Sequence, residues 1–193
     1  RGCAKSTLAR AFREILPALE TAETTPFVEV PLGTSEDRLL GSIDASRLLE
    51  NGEWSAQTGL IQQANGGVLY IDEVNLLPDH LVDSILDSAA SGQHRIERDG
   101  LSKTVSARYI LIGSMNPEEG DLRPQLTDRF MHGILVRDDF SVEERREIVR
   151  VRMDFDDDPQ KFLDGHLTKL EELRTQILEI RQKMKNVEIS ENL

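Results

Sequence analysis

The stretch "GGVLYIDEVNLL", Gly66 to Leu77, decides how the rest of the chain reads. Its unbroken apolar run before Asp72 predicts a strand covered on both faces. Asp72 and Glu73 then stand at the C-terminal end of that strand. In an open α/β sheet, ligands sit beyond those strand ends. Two adjacent carboxylates there can divide the work. Asp72 can hold the shell of a hard divalent cation, while Glu73 orients and deprotonates an attacking water. The plainer alternative is a strand that simply ends in polar residues, so the decision passes to what lies upstream.

Upstream, the chain opens on "RGCAKSTLAR", Arg1 to Arg10. Lys-Ser-Thr after a glycine-bearing turn suggests a phosphate-binding loop. In such a loop, backbone N–H groups and a helix N-terminus surround phosphate oxygens. The usual pattern is G-x-x-x-x-G-K-[ST]. Its first glycine would fall before Arg1, and the glycine before the lysine is Ala4. Within the pattern Gly2, Cys3, Ala4, Lys5, Ser6 and Thr7 would cradle the nucleotide. Lys5 reaches the terminal phosphates and Ser6 joins Asp72 as a ligand of Mg²⁺. If the residue before the helix is near helical geometry, alanine carries no strain there. Apolar Leu8, Ala11, Phe12 and Ile15 follow at helical spacing and put a helix directly after the loop.

Downstream, "LIGSMNP" is expected to be another buried strand, ending in Asn116, whose amide can hold the attacking water near a γ-phosphate. In "PEEGDLRPQLTDRF", Arg123 and Arg129 lie around a short helix. An arginine offered to a γ-phosphate contributes ~10³–10⁵ in rate, whereas a helix-surface arginine merely pairs with Asp or Glu.

The remaining segments supply the frame. "PFVEV" reads as a strand, and "TSEDRLLG" as a helical turn ending at Gly41. "LIQQANGG" is a short helix closed by glycine. "LPDHLVDSILDSAASG" is a helix with Pro78 near its start and Gly92 past its end. Asn51-Gly52 and Asp99-Gly100 predict two β-hairpins. Ser141 and Glu144 form a capping box. From Asp158-Pro159 one long helix is expected, with Leu167, Leu170, Leu173, Ile177, Ile180, Met184 and Val187 on one face. The acidic run "DFDDDP" is expected to be a solvated helix start, where negative charge is favourable. Strands alternating with helices give an α/β layered architecture.

Composition narrows the function classes. The 193 residues suit one domain, or one with an appendage, and the formal net charge of −12 argues against duplex nucleic acid as the main partner. A single cysteine excludes an internal disulfide framework and fits a reducing compartment, so a cytoplasmic location is expected. No apolar run approaches ~18 residues, so no membrane partner is expected. The four histidines are scattered, without metal-ligand spacing. The chain is read as a fragment of a longer protein, since it opens inside a motif.

Taken together, "RGCAKSTLARA", "PLGTSEDRLLGSID", "GVLYIDEVNLL", "SMNPEEGDLRPQLTDRF" and "DFSVEERREIV" resemble the AAA+ ATPase subunit of magnesium chelatase and its cobaltochelatase-associated relatives. The resemblance covers nearly the whole chain. It implies a P-loop NTPase core over residues 1–138, with a parallel sheet between helices and two hairpin inserts. A helical linker and the beginning of a C-terminal lid would occupy 139–193. It implies a homo-hexameric ring using ATP and Mg²⁺, Asn116 as sensor 1, and Arg129 as an arginine finger acting on the neighbouring subunit. Some cobaltochelatase-associated members carry alanine where this chain has Ala4, which leans slightly towards cobalt. The implied work is to power metal insertion into a tetrapyrrole by a partner subunit. A second reading is a chaperone-like ATPase of the MoxR type, acting on a von Willebrand-type partner. "NPEEGDLRPQL" favours the chelatase branch. A DNA-acting ring is disfavoured by the net charge, and a non-hydrolysing scaffold by Asp72, Glu73 and Asn116.

Overall fold

The computed structural model describes residues 4–17, 24–43, 56–98, 101–136, 139–184 and 187. The chain divides into two compact units, Arg1–Arg13 with Ala18–Ile134, and Glu14–Pro17 with Leu135–Leu193. In chain order the first elements are α1 (Lys5–Ile15), β1 (Phe27–Val30), α2 (Glu36–Leu40), β2 (Ser42–Ile43), β3 (Ala56–Gln57) and α3 (Leu60–Gln63). They are followed by β4 (Val68–Ile71), α4 (Asp79–Ser91), β5 (Gln93–Arg98), β6 (Leu101–Ser106), β7 (Ile110–Gly113) and α5 (Pro124–Arg129).

β1, β4 and β7 form a parallel sheet with β4 in the middle. Every side chain of β4 is at most 2% exposed, as its continuous apolar run requires. β7 departs from expectation. Among the described residues it pairs with β4 alone, and Ile110 is 39% exposed. An apolar run reports that a strand can be covered, whereas actual burial depends on the neighbours it receives.

α4 lays Leu81, Val82, Ile85 and Leu86 into the core shared by Leu69, Ile71, Leu77 and Leu126. Each such side chain stabilises the fold by ~2 kcal/mol through burial. Asp79 sits at the positive pole of α4. Gly92, at φ 69°, ends the helix with its N–H on the Ser88 carbonyl. Elsewhere it is close approach that demands glycine. A Cβ on Gly59 would lie 2.4 Å from the Gly41 nitrogen, so only glycine lets α3 begin against the end of α2. Both hairpins have antiparallel flanks, β2 with β3 and β5 with β6. Their expected turns at Asn51-Gly52 and Asp99-Gly100 lie outside the described residues.

α1 is rotated from the expected face. Ala9 is buried and Leu8 is 67% exposed. Polar anchors set this rotation. Lys5 bonds the Met115 carbonyl, Ser6 contacts Asp72, and Arg10 forks onto both Glu29 carboxylate oxygens at 3.0 Å. These residues lie on the Ala9 side of a 3.6-residue helix, which turns Leu8 outward.

The second unit contains α6 (Val142–Asp157), α7 (Pro159–Asp164) and α8 (Leu167–Met184). The Ser141–Glu144 capping box is complete, with both reciprocal hydrogen bonds formed. The single long helix expected after Asp158 is instead two. Gly165 is a poor helix former by ~1 kcal/mol, and the His166 ring engages the Phe162 carbonyl at 2.7 Å while stacking on the Phe162 ring. Val187 lies past the end of α8. The acidic run is also displaced from expectation. Asp154, Asp156 and Asp157 end α6 at its negative pole, and only Asp158 caps α7, accepting from the Lys161 N–H at 3.0 Å.

Candidate functional site

The register of the sheet carries the polar residues to one place. Ile71 pairs with Gly113, so Asp72 and Ser114 are the next residues out of β4 and β7. Two backbone bonds hold this step, Ser114 N–H to the Ile71 carbonyl and Val74 N–H to the Ser114 carbonyl, both 2.9 Å. Asp72 therefore leaves the sheet between two fixed strand ends. The N-terminus of α1 meets it there. Ser6 Oγ lies 3.4 Å from Asp72 Oδ2, and the Lys5 ammonium donates to the Met115 carbonyl at 2.6 Å, one residue before Asn116.

Asp72 is surrounded by hydroxyls. Ser114 Oγ donates to Asp72 Oδ1. The Tyr70 hydroxyl lies 2.9 Å from that oxygen and 3.0 Å from Ser114 Oγ. Burial alone would raise the Asp72 pKa. The hydroxyls of Ser114, Tyr70 and Ser6 outweigh it and hold the carboxyl below its usual value. Glu73 follows with φ 55° and ψ 55°, the left-handed region, at the head of a one-turn 3₁₀ helix over Val74–Leu76. A non-glycine residue there costs ~1–2 kcal/mol, and such strain clusters at functional sites.

Ala4 corrects the sequence reading. Its φ is 54°, not helical, so alanine occupies a position that glycine would hold without strain. Gly2 and Cys3 lie outside the described residues. Thr7 is exposed on the first turn of α1. Asn116 is 9% exposed. Its Oδ1 accepts from Glu118 N–H at 3.5 Å, and its buried Nδ2 makes no hydrogen bond among the described residues.

The two arginines separate. Arg123 bonds the carbonyls of Asn75 and Leu77 at 3.3 and 3.0 Å and pairs with Asp79, which makes it a clasp on the turn after Glu73. Arg129 has a half-exposed side chain and, among the described residues, pairs only with the exposed Asp87, at 3.3 Å. Among the described residues no hydrogen bond or ion pair joins it to Lys5, Ser6, Asp72 or Asn116. Sequence reading missed Tyr70, Ser114 and Asp79. The signal for Tyr70 was available, because a residue two before Asp72 in a strand lies on the same face.

The donor set suits a nucleotide with its cation. An ammonium at the start of an 11-residue helix suits phosphate, and a hydroxyl beside a carboxylate kept ionised gives two hard oxygens for Mg²⁺. Among the described residues no cluster of three or more His, Cys, Asp or Glu could hold a metal on its own. No helix among them is long and apolar enough to cross a membrane.

A parallel sheet with a Lys-Ser helix start facing an Asp-Glu strand end defines a P-loop nucleotide-binding core, and the chain belongs to the AAA domain family (dynein-related subfamily), whose profile matches residues 1–130. Within that class its relatives include magnesium-chelatase subunits. The magnesium-chelatase 38 kDa subunit of Rhodobacter capsulatus is 44% identical over 214 residues, covering 97% of this chain and 61% of that one. An uncharacterised protein of Mycobacterium tuberculosis is 44% identical over 192 residues, covering all of this chain and 30% of its own length. A chain of the cryo-EM-based complex between subunits BchI and BchD of magnesium chelatase superposes with a TM-score of 0.70 at 44% identity, covering 97% of this chain and 67% of that one. The chain therefore spans less than two thirds of the curated relatives it matches.

Proposed function

We propose that this chain is the ATP-hydrolysing AAA+ motor domain of a metal chelatase, driving insertion of magnesium or cobalt into a tetrapyrrole by a partner subunit. The observation that carries the ATPase reading is the convergence of Lys5, Ser6, Asp72 and Asn116 at one end of the sheet. The 44% identity to the Rhodobacter chelatase subunit supports the chelatase role. The core would run through residue 138, and 139–193 would begin the helical linker and lid.

In this reading Gly2, Cys3, Ala4 and Thr7 belong to the phosphate loop, and Lys5 turns from the Met115 carbonyl to the terminal phosphates. Ser6 and Asp72 hold Mg²⁺, which when bound neutralises charge on the phosphate oxygens. Glu73 takes the proton of the attacking water, and Asn116 Nδ2 orients that water. Arg129, presented at the surface, serves the neighbouring subunit of a homo-hexameric ring. The tetrapyrrole and its metal bind on the partner. The MoxR-type alternative shares these site residues and differs in its partner.

Two measurements on the full-length protein test this. Glu73→Gln is expected to keep Mg-ATP affinity and lose at least ~10²-fold in turnover, since an amide cannot accept the proton. Lys5→Ala is expected to weaken binding itself. Near-normal turnover in Glu73→Gln removes the assignment of the base. ATP-dependent metal insertion into a porphyrin, followed by absorbance with the large chelatase subunits added, supports the chelatase role. ATPase activity that responds instead to a von Willebrand-type protein, with no insertion, replaces it with the alternative.

A further inference from the structure

Tyr70 is the only non-aliphatic residue of β4. It is fully buried, and its ring stacks on Phe27 with centroids 5.8 Å apart. Packing alone would be met by phenylalanine, which fills the same space without bringing a hydroxyl into the core. A buried hydroxyl is costly unless it is hydrogen-bonded, so its partners show what it is placed to do. Those partners are Asp72 Oδ1 at 2.9 Å and Ser114 Oγ at 3.0 Å. Ser114 in turn donates to the same Asp72 oxygen. The tyrosine proton can go to either acceptor, and in both cases the two hydroxyls and Oδ1 form one closed cluster.

The two sides of the carboxylate therefore differ. Oδ1 is held by two hydroxyls, that of Tyr70 within paired β4 and that of Ser114 one residue past β7, where backbone bonds to Ile71 and Val74 fix it. Among the described residues Oδ2 has only the long 3.4 Å contact from Ser6. A carboxylate on a strand end can otherwise rotate about χ2, a broad torsion with little intrinsic preference. Pinning Oδ1 from two directions stops that rotation and aims Oδ2 at the Ser6 hydroxyl.

We propose that Tyr70 and Ser114 are positioning residues that lock Asp72 so that its Oδ2 and the Ser6 hydroxyl form a prearranged oxygen pair for the nucleotide-bound Mg²⁺. The inference rests on the reading of Ser6 and Asp72 as the cation's ligands. In this proposal neither residue is itself a ligand of the cation. Their effect passes through the orientation of Asp72, as hydrogen bonds to a ligating group do in other metal sites.

The test uses full-length protein and a fluorescent N-methylanthraniloyl-ADP probe, titrated with Mg²⁺ and separately in excess EDTA. Tyr70→Phe removes one oxygen and leaves the ring, and Ser114→Ala removes the other hydroxyl. Each is expected to raise the half-saturating Mg²⁺ concentration by about tenfold, with affinity in EDTA unchanged. Ser114→Thr, which keeps the hydroxyl, should restore the wild-type value. The double variant should lose less than the product of the single losses, because both hydroxyls act on one oxygen. A merely structural role would lower the melting temperature and leave the Mg²⁺ half-saturation where it was. That result in Tyr70→Phe overturns the proposal, and Ser114→Ala decides it by the same criterion if Tyr70→Phe does not fold. Wild-type protein that binds the probe equally well with and without Mg²⁺, or not at all, overturns the cation-site reading beneath it. Mg²⁺-dependent wild-type binding with unaltered variants overturns the positioning role alone.

Discussion

Single residues show where a sequence stops speaking. Ala4 reads as a tolerable replacement for glycine, yet its φ of 54° puts it where glycine is favoured, and no spacing rule reports a dihedral angle. Arg123 and Arg129 look alike in "DLRPQLTDRF", but two bonds bind the first to the turn after Glu73 and a third to Asp79, while the second pairs with one exposed carboxylate. The Lys5, Ser6 and Asp72 cluster was legible because motif spacing encodes it. Tyr70 was passed over because it sits inside an apolar run and was counted as filling. Tyr109 carries the clearest titration. Burial pushes its pKa up to about 12, with the Ser88 hydroxyl partly opposing. An unfolded tyrosine releases its proton near pH 10, so between about pH 10 and 12 the folded state holds more protons and stability falls as pH rises. Denaturant titrations across that window should show a loss of about 2 kcal/mol beyond any background, and Tyr109→Phe should remove that component. An unchanged slope in the variant would mean that another group is titrating.

Elements were read more securely than their surroundings. The run from Val68 to Ile71 announces a covered strand, and the flanks of the second hairpin pair in the register that Asp99-Gly100 predicts, whereas the first pairs Ser42 with Gln57, a register centred two residues before Asn51-Gly52. Ile110–Gly113 has the same apolar character and is half open, because coverage is decided by distant chain. The break at Gly165 and the outward turn of Leu8 have the same origin, since local pattern yields to a ring–carbonyl contact in one case and to polar anchors in the other. The Arg123 clasp is the feature at this scale that mutation can weigh. It joins the start of α5 to the 3₁₀ turn. Arg123→Ala removes charged donors from two partly buried carbonyls and should cost about 1–2 kcal/mol in urea denaturation. Arg123→Lys should recover less than half of this, because an ammonium cannot fork. Arg129→Ala breaks only an exposed pair and should stay within about 0.5 kcal/mol of wild type. Equal losses at both positions would erase the distinction drawn between a structural and a presented arginine.

For the molecule as a whole, the proposed ring divides each active site between two chains. A Lys5→Ala subunit keeps a sound Arg129, and an Arg129→Ala subunit keeps a sound Lys5, Asp72 and Glu73. Each variant ring alone should be nearly inactive. Mixed before assembly, roughly a quarter of the interfaces in a closed heterologous ring would be whole. Steady-state ATPase activity should therefore rise on mixing and peak near equal proportions. Flat activity between subunits known to exchange would place Arg129 within its own site or in a structural role. In the second unit, α6 begins in a full capping box and ends in Asp154, Asp156 and Asp157 against its own dipole, with Arg152 bridging Asp156 at 2.7 Å. Such a helix is fastened at one end and frays from the other. Amide protons near Asp157 should exchange with deuterium sooner than those near Ile148. Moderate salt should slow them by screening the carboxylates, so that the joint between α6 and α7 stiffens or softens with ionic strength while the capped end stays fixed.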